Sequence, residues 1–323
     1  MLENSLKSKL KELFIESLDI EKNYIVLERA TERKNQNQTN DVFSEKWEFV
    51  KADKNIDQLG SFQKEWFLKL YGFESEEHLA RTLSEQNYIF DAGCGLGYKS
   101  AWFADLAPNS IVIGMDYSDA AKIAADKYKN IENLFFIQGD IAKTNFKNGV
   151  LDFVVCDQVI MHTEDPEQTF NHLSSITKDD GQFCCYVYRK KALPRELVDS
   201  YFREKVHNIS KDEIWELSKQ LTVLGKRLSE LNVSINSPEI PLLGIKEGEY
   251  DIQRFIYWNF LKCFWKPEWS EDLNVSTNFD WYSPSNARRF SKEEFIAMID
   301  QNMLNILSFH EEEACYSGRF AKK

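Results

Sequence analysis

Residues 88–100 read YIFDAGCGLGYKS, an apolar run that ends on an acid and continues into a turn with three glycines. The apolar run is typical of a buried strand, and the residues after the glycines are typical of a helix. Glycine suits a turn in which a ligand lies against the main chain, because a Cβ atom would collide with that ligand. The stretch therefore predicts a strand, a ligand-binding turn and a helix, in that order.

Asp91 discriminates between two ligands that such a turn binds. A dinucleotide turn has the spacing G-x-G-x-x-G and holds a pyrophosphate at the helix N-terminus, whereas Gly93, Gly95 and Gly97 have the spacing G-x-G-x-G. A carboxylate this close would repel a pyrophosphate by on the order of several kcal/mol at an effective dielectric constant near 20. The same carboxylate attracts the ammonium and sulfonium groups of S-adenosylmethionine. The acid therefore favours S-adenosylmethionine.

Two further acids follow predicted strands in the same way. Asp116 ends the second strand, where a carboxylate can accept both ribose hydroxyls, as it also does in dinucleotide-binding folds. Asp140 follows the third strand, where it can take an adenine amino group while Ile141 packs against the ring. A single acid at a strand end is usually a helix cap or a turn residue. Three in succession favour a nucleoside site.

The rest of the segment from Tyr88 alternates strands with single helices, which predicts a parallel, doubly wound α/β sheet of the Rossmann type. Near the C-terminus two strands are separated by too few residues for a crossover helix, so they are predicted to form an antiparallel hairpin and to complete a seven-stranded sheet. The predicted strands are residues 88–92, 110–116, 134–140, 151–159, 182–189, 305–313 and 316–323, and the predicted helices of this core are residues 97–107, 119–129, 166–177 and 291–301.

Two segments flank or interrupt this core. Residues 1–87 are predicted to be an N-terminal helical cap, with a loop at NQNQTN (35–40) and helices near 61–71 and 76–86 that Ser61 and Ser75 cap. Residues 190–290 interrupt the alternation with a largely helical, aromatic-rich insertion, and so long an insertion is usually functional. The predicted domains are therefore the cap, a core of residues 88–189 and 291–323, and a substrate-covering insertion.

Residues 88–189 resemble the core of class I S-adenosylmethionine-dependent methyltransferases. The resemblance is carried by DAGCGLG (91–97), GMDYS (114–118), QGDI (138–141), LDFVVCDQVIMHTEDP (151–166) and GQFCCYVY (181–188), and FSEKW (43–47) and DWYSP (280–284) resemble a subgroup that acts on small molecules. The resemblance implies methyl transfer from S-adenosylmethionine to a small-molecule acceptor, such as a sugar, a lipid-linked intermediate or a secondary metabolite. The cofactor-binding residues that it implies are Asp91, Ala92, Gly93, Cys94, Gly95, Asp116, Tyr117, Ser118, Asp140, Ile141, Asp157 and Gln158.

Methyl transfer from a sulfonium is an in-line displacement with a neutral leaving group, so orientation and desolvation supply most of the acceleration. A base is needed only if the acceptor must lose a proton. His162 is the candidate for that base, and its alternative role is to position a turn whose Asp165 caps a helix that begins at Pro166. The predicted acceptor-binding residues are Phe43, Trp47, Tyr257, Asp280, Trp281 and Tyr282.

Composition and charge limit the partners of this 323-residue chain. Its net charge of −12 and the absence of a long basic run disfavour nucleic acid as the acceptor. The sequence shows no apolar run long enough to cross a membrane and no signal peptide, and its six cysteines lack the spacing of a zinc site. These features predict buried free thiols, a cytoplasmic location and no metal. The oligomeric state stays open, with a homodimer as one arrangement.

Two functions from other classes remain as alternatives. An NAD-dependent oxidoreductase would need the last glycine of the turn one residue later and would tolerate Asp91 poorly. A non-catalytic nucleotide-binding module would need disrupted motifs for the methyl donor, and these motifs look intact in the sequence.

Overall fold

A computed structural model describes residues 2–16, 18, 20–27, 33–50 and 56–322. The strands of this described part are β1 (Tyr24–Val26), β2 (Tyr88–Ala92), β3 (Ile111–Asp116), β4 (Leu134–Gln138), β5 (Leu151–Cys156), β6 (Thr177–Arg189), β7 (Ser234–Ser237), β8 (Gly248–Asp251), β9 (Arg289–Phe290), β10 (Leu304–Glu311) and β11 (Cys315–Lys322). The α-helices are α1 (Leu2–Glu12), α2 (Lys34–Val50), α3 (Ile56–Tyr71), α4 (Glu76–Ser84), α5 (Tyr98–Leu106), α6 (Ala120–Lys127), α7 (Pro166–Ile176), α8 (Leu193–Lys205), α9 (Lys211–Glu230), α10 (Ile252–Asn259), α11 (Glu271–Tyr282) and α12 (Lys292–Gln301).

The main sheet has the strand order β1-β4-β3-β2-β5-β6-β11-β10, with β9 paired to β6 outside this path. Strand β2 pairs in parallel with both β3 and β5, as expected for a parallel sheet, and the strand order reverses at the glycine turn. The antiparallel hairpin of β10 and β11 is also confirmed. The predicted count of seven strands is wrong, because β1 adds in parallel to the edge strand β4 and β9 adds to β6. Both added strands are too short for a pattern of alternation to reveal them.

The central strands are buried on both faces, which is why they read as continuous apolar runs. Every residue of β4 and of β5 is buried. Phe90, Phe135, Phe153 and Phe183 are at most 1% exposed, and burying each side chain contributes roughly 1.5–3 kcal/mol before the entropy of ordering is subtracted. This core holds the strand ends, and therefore the loops that follow them, in a fixed order.

Helix caps account for several element boundaries. The hydroxyl of Ser75 accepts the N–H of His78, and a carboxylate oxygen of Asp165 accepts the N–H of Gln168, so both predicted caps are confirmed. The prediction that Ser61 caps a helix is wrong, because α3 begins at Ile56 and Ser61 lies within it.

The predicted loop at NQNQTN is also wrong, because residues 35–40 lie within α2. Polar side chains of this helix form hydrogen bonds with distant residues. The amide nitrogen of Gln38 donates to the carbonyl oxygen of Ser283, and its amide oxygen accepts the N–H of Ser285. The hydroxyl of Thr39 accepts the N–H of Asn286. Local composition predicts a loop here, since these partners are more than 240 residues away in the chain.

The chain divides into two compact units. The first, here the α/β unit, comprises Met1–Arg33, Gly60–Tyr188 and Phe290–Lys323. The second, here the helical unit, comprises Lys34–Leu59 and Arg189–Arg289. The N-terminal segment that was predicted as one cap is thus divided between the two units, because α2 packs on α11.

The helical unit has a core of its own. Trp215 of α9 stacks on Phe279 of α11 with ring centroids 3.8 Å apart, and the hairpin of β7 and β8 precedes α10. A Cβ atom at Gly225 would lie 2.3 Å from the carbonyl oxygen of Cys263, so the main chains approach closely there. The aromatic residues of the insertion therefore serve mainly as core.

The six cysteines are all buried, as predicted for thiols that sit inside apolar runs. In the part of the chain that the structure describes, no helix combines the length and the apolar character that a bilayer span requires.

Replacing Asp165 with alanine removes the cap of α7, and we expect this change to lower the free energy of unfolding by about 1 kcal/mol. Chemical denaturation followed by circular dichroism measures the loss. Glu164→Ala, at the exposed neighbouring position, is the matched control and should change stability by less than about 0.5 kcal/mol. Equal stability of the two variants would contradict a capping role.

Candidate functional site

The glycine turn between β2 and α5 is held against β3. The backbone N–H groups of Gly93 and Cys94 both donate to the carbonyl oxygen of Met115, at 2.7 and 2.9 Å. Gly93 has a φ of +86°, and a Cβ atom there would lie 2.3 Å from the Val159 side chain. A Cβ atom at Gly97 (φ +75°) would lie 2.7 Å from Phe136. The prediction that glycine makes room for a ligand is therefore incomplete, because these two glycines make room for the protein's own side chains.

Asp91 is buried beneath this turn and is only partly satisfied. Its Oδ2 atom accepts the Ser100 hydroxyl at 2.7 Å, whereas its Oδ1 atom is buried with no hydrogen-bond partner among the described residues. Desolvation raises the pKa of Asp91, and the nearby Lys99 ammonium opposes that rise. A buried carboxylate oxygen without a donor is costly, so this atom is suited to a cationic ligand.

Asp116 organises the turn from the end of β3. Its Oδ2 atom accepts the N–H of Gly95 at 2.8 Å, and its Oδ1 atom accepts the N–H and the hydroxyl of Ser118 at 2.9 and 2.6 Å. Desolvation raises the pKa of Asp116, while these hydrogen bonds lower it. A carboxylate has about four acceptor positions, so Asp116 can still accept from a ligand. Tyr117 lies between Asp116 and Ser118 and is half-buried.

Asp140 lies two residues beyond β4 and is paired within the α/β unit. Its Oδ1 atom accepts the N–H of Ala142, and its Oδ2 atom forms an ion pair with Arg33 at 2.8 Å. Ile141 is 5% exposed beside it. Arg33 was not among the predicted site residues, since nothing in the sequence links residue 33 to residue 140.

Asp157 follows β5, and both of its carboxylate oxygens accept hydrogen bonds from other side chains of the protein. Its Oδ1 atom accepts the Tyr71 hydroxyl at 2.8 Å, and its Oδ2 atom accepts the Lys99 ammonium at 2.7 Å. Burial and the Asp157 charge raise the pKa of Tyr71, so the phenol keeps its proton. Gln158 has a φ of +64°, an unfavourable value for a non-glycine residue and one that clusters at functional sites. Asp157 thus anchors the loop on which Gln158 is presented.

Lys99 is the main residue of this region that the sequence did not reveal. Burial alone would lower its pKa, but the carboxylates of Asp157 and Asp91 outweigh burial and raise the pKa above the ordinary lysine value. A lysine in the first turn of a helix usually indicates a solvated face, so a sequence pattern predicts exposure. In the structure it is 6% exposed and serves as the counter-ion of two buried acids.

His162 lies on the short 3-10 turn that follows Gln158 and is 6% exposed. Its Nε2 atom is 3.4 Å from the Tyr188 hydroxyl oxygen, and the two rings meet edge to face. Tyr188 lies near the end of β6, so the pair sits at the same carboxyl edge of the sheet as the glycine turn. A histidine and a phenol at this spacing can exchange a proton, which is compatible with the predicted base.

The predicted acceptor residues all lie in the helical unit, and the structure brings most of them together around two lysines. Lys46 forms an ion pair with Asp280 and lies 4.9 Å from the ring of Trp47 and 5.9 Å from that of Phe43. Lys262 lies 4.5 Å from the ring of Trp281.

Of the two predicted tyrosines, Tyr282 contacts Lys262 and Tyr257 contacts Arg195. The hydroxyl of Tyr282 accepts the N–H of Lys262 and donates to its carbonyl oxygen. The ring of Tyr257 lies 5.3 Å from the guanidinium of Arg195. Lysines scattered along a chain carry no signal of a shared site, so the sequence did not indicate Lys46 or Lys262.

One group of three potential metal ligands occurs in the described ranges. It comprises His310, Glu312 and Cys315, whose ligand atoms lie within 4.8 Å of one another at the β10–β11 turn. The Glu312 carboxylate there is 3.1 Å from the His310 ring nitrogen and 3.3 Å from the Lys69 ammonium. These contacts already supply counter-charge to the carboxylate, and the absence of a metal stays a prediction.

The Lys99–Asp157 pair yields a stability prediction. Lys99→Met leaves Asp157 buried without its counter-ion, and we expect a loss of about 3–5 kcal/mol in the free energy of unfolding. The double variant Lys99→Met/Asp157→Asn should lose less than the sum of the two single losses, because no buried charge is left unpaired. Urea denaturation of the three variants measures this coupling.

Lys122→Met is the matched control, since it breaks an exposed ion pair with Asp126 and should cost less than about 0.5 kcal/mol. Additive losses at Lys99 and Asp157 would show that the two residues do not act as a pair.

Comparison with known proteins assigns the central segment. The family described as "Methyltransferase domain" matches residues 90–185, which include the glycine turn, Asp116, Asp140, Asp157 and His162.

Curated relatives are methyltransferases of different kinds. An uncharacterized methyltransferase of Schizosaccharomyces pombe is 29% identical over 117 residues, which cover 33% of this chain and 42% of that protein. Malonyl-[acyl-carrier protein] O-methyltransferase of Legionella pneumophila is 28% identical and covers 41% of this chain, with 45% of its own length matched. Sterol 24-C-methyltransferase of Saccharomyces cerevisiae is 28% identical over 34% of this chain and 30% of its own length. The chain thus spans less than half the length of these relatives.

Among solved structures, PKMT2 from Rickettsia typhi in complex with AdoHcy superposes with a TM-score of 0.51 and 16% identity, over 78% of this chain and 53% of the other. At that identity the likeness shows the fold alone. The match of residues 90–185 identifies that segment as a methyltransferase domain, and the α/β unit has the fold of the class I S-adenosylmethionine-dependent enzymes.

Proposed function

We propose that this chain transfers the methyl group of S-adenosylmethionine to a small-molecule acceptor. The observation that carries the proposal is the Oδ1 atom of Asp91, a buried carboxylate oxygen that lacks a hydrogen-bond donor among the described residues. It lies directly before the glycine turn, at the point where the strand order reverses and where open α/β sheets bind ligands. An ammonium group supplies both the charge and the donor that this atom lacks.

The other residues at the strand ends fit the remaining parts of the cofactor. Asp116 retains acceptor positions for ribose hydroxyls, and Ile141 offers an apolar surface to an adenine ring. Asp140 has spare acceptor capacity beside its ion pair with Arg33. The set Asp91, Ala92, Gly93, Cys94, Gly95, Asp116, Tyr117, Ser118, Asp140, Ile141, Asp157 and Gln158 therefore stays the proposed cofactor site, with Asp157 acting through Lys99 and Gln158.

Bound S-adenosylmethionine supplies an electrophilic methyl group and a neutral thioether leaving group. The residues of the chain then have three tasks: to bind, to orient and to exclude water. Asp91 would hold the amino-acid end of the cofactor and Asp116 its ribose, and the loop that Asp157 anchors carries Gln158. His162, with Tyr188, accepts a proton from an acceptor that must be deprotonated.

A small-molecule acceptor is supported by charge and by the helical unit. The chain carries a net charge of −12, which disfavours a polyanionic acceptor. Two relatives are named for a sterol and for malonyl-[acyl-carrier protein], which are organic acceptors rather than nucleic acids. We propose the predicted residues Phe43, Trp47, Tyr257, Asp280, Trp281 and Tyr282 as the acceptor-recognition part of the helical unit. Six buried thiols suit a reducing compartment, and a cytoplasmic location stays a prediction.

Asp91→Asn tests the cofactor proposal, because the amide keeps the shape of the side chain and removes its charge. We expect the affinity for S-adenosylhomocysteine, measured by isothermal titration, to fall about 10- to 100-fold. Asp105→Asn, at an exposed position of α5, should bind like the wild type. Tight binding of NAD to the wild type in place of S-adenosylhomocysteine would refute the proposal in favour of an oxidoreductase.

His162→Ala tests the proposed base. We expect turnover to fall about 100-fold, while the dissociation constant for S-adenosylhomocysteine changes little, because the residue acts on the acceptor. The measurement is the transfer of labelled methyl groups to candidate acceptors across a range of pH. Full activity at every pH would assign His162 to the structure of its turn.

A further inference from the structure

The helical unit contains a cluster of buried cations around one indole ring. The ring of Trp281 has Lys262 at 4.5 Å, Arg195 at 5.0 Å and Arg203 at 5.7 Å. The faces of an aromatic ring attract cations, so the three positive groups concentrate charge beside one side chain. In a chain of net charge −12, this concentration of positive charge is local and specific.

Two carboxylates, Asp199 and Asp280, lie among Arg195, Lys46 and Lys262. Asp199 is 0% exposed and accepts the Nε atom of Arg195 through both of its oxygens, at 3.0 and 3.1 Å. Asp280 forms a close ion pair with Lys46 through its Oδ2 atom. The Oδ1 atom of Asp280 lies 3.9 Å from the Lys262 ammonium, so this one carboxylate serves both lysines.

The ammonium of Lys262 lies farther from Asp280 than a hydrogen bond allows. Lys262 is 5% exposed. Its Nζ atom is 3.9 Å from the Oδ1 atom of Asp280, which is beyond hydrogen-bond distance. Among the described residues this ammonium has no hydrogen-bond acceptor. A buried cation is normally paired and hydrogen-bonded, because desolvation is otherwise uncompensated. At this site one carboxylate faces two lysines, which leaves an excess of positive charge.

The side chains around the two lysines indicate what such an anion is attached to. Lys46 lies beside the rings of Phe43 and Trp47, and Lys262 lies over Trp281. Aromatic surfaces next to a cation suit an organic acid whose body is apolar, rather than a free inorganic ion.

We propose that the helical unit contains an anion-binding site formed by Lys262 and Lys46, which takes the carboxylate or phosphate group of an organic acid with an apolar body. That this acid is the methyl acceptor rests on the proposed function. The existence of the site does not rest on the proposed function, because every residue that forms the site belongs to the helical unit.

The site couples anion binding to proton uptake. Burial lowers the pKa of Lys262 to about 7, against the opposing effect of Asp280 from α11. Arg195 from α8 and Lys46 from α2 lower it further, while Asp199 from α8 raises it. An anion favours the charged form, so binding above pH 7 takes up a proton, and the affinity should fall by up to about tenfold for each further pH unit.

The test uses three probes of similar shape on the full chain: phenylacetate, phenyl phosphate and the neutral phenylacetamide. We expect at least one of the two anions to bind with proton uptake, seen as a dependence of the titration heat on the ionisation enthalpy of the buffer at pH 8. Phenylacetamide should bind at least about tenfold more weakly. Whichever anion binds more tightly identifies carboxylate or phosphate as the recognised group.

Two variants separate charge from structure. Lys262→Met should lose at least about tenfold in anion affinity, and it should melt at a higher temperature than the wild type because a buried lysine that shares Asp280 with Lys46 has been removed. Lys262→Arg keeps a permanent charge, so it should retain binding and lose the proton uptake. Lys226→Met, on the α9 face of the same unit, is the matched control and should leave both affinity and proton uptake unchanged.

The proposal is overturned if neither anion binds, if phenylacetamide binds as tightly as the anions, or if proton uptake persists in Lys262→Met. Titrating S-adenosylhomocysteine into the same samples separates this result from the methyltransferase proposal. Anion binding without S-adenosylhomocysteine binding rejects only the proposed function, and the reverse result rejects only the anion site.

Discussion

One buried ammonium, that of Lys99, governs the arrangement of the acids at the carboxyl ends of β2 and β5. Asp91 and Asp157 end neighbouring parallel strands and are both almost fully removed from water. Two buried carboxylates so close would drive each other to the neutral form, and Lys99 opposes this by donating to Asp157 and by lowering the pKa of Asp91. With Asp157 anchored by Lys99 and Tyr71, the loop that carries Gln158 and His162 has a fixed starting point.

The two units hold complementary electrostatic deficits. In the α/β unit the unsatisfied atom is a carboxylate oxygen of Asp91, which suits an ammonium. In the helical unit Lys262 shares one carboxylate, that of Asp280, with Lys46, and this excess of positive charge suits an anion. Burying such a charge lowers the stability of the fold, and an apolar side chain in its place would avoid that loss. Sites that keep a destabilising group of this kind are more often functional than structural. A methyltransferase needs both a donor site and an acceptor site, and the chain places one such deficit in each unit.

Local patterns predicted much of the fold, but they failed where distant partners decide the structure. The parallel strands and the C-terminal hairpin follow from apolar runs and their spacing. The segment NQNQTN is helical only because residues near Ser283 accept and donate its hydrogen bonds. Ser61 resembles a cap, yet α3 has already begun before it. Short edge strands such as β1 depend on pairing with β4, which no local pattern encodes.

By itself, the sequence determined the class of the α/β unit and the acids at its strand ends, because both depend on residues that are close together in the chain. Only the tertiary structure decided how those acids are balanced and which cations lie together. Charge pairing is set by close contact between side chains that can be 58 residues apart, as for Lys99 and Asp157, or 234 residues apart, as for Lys46 and Asp280. A linear pattern gives the number of charges, whereas only the fold shows which of them are left without a partner.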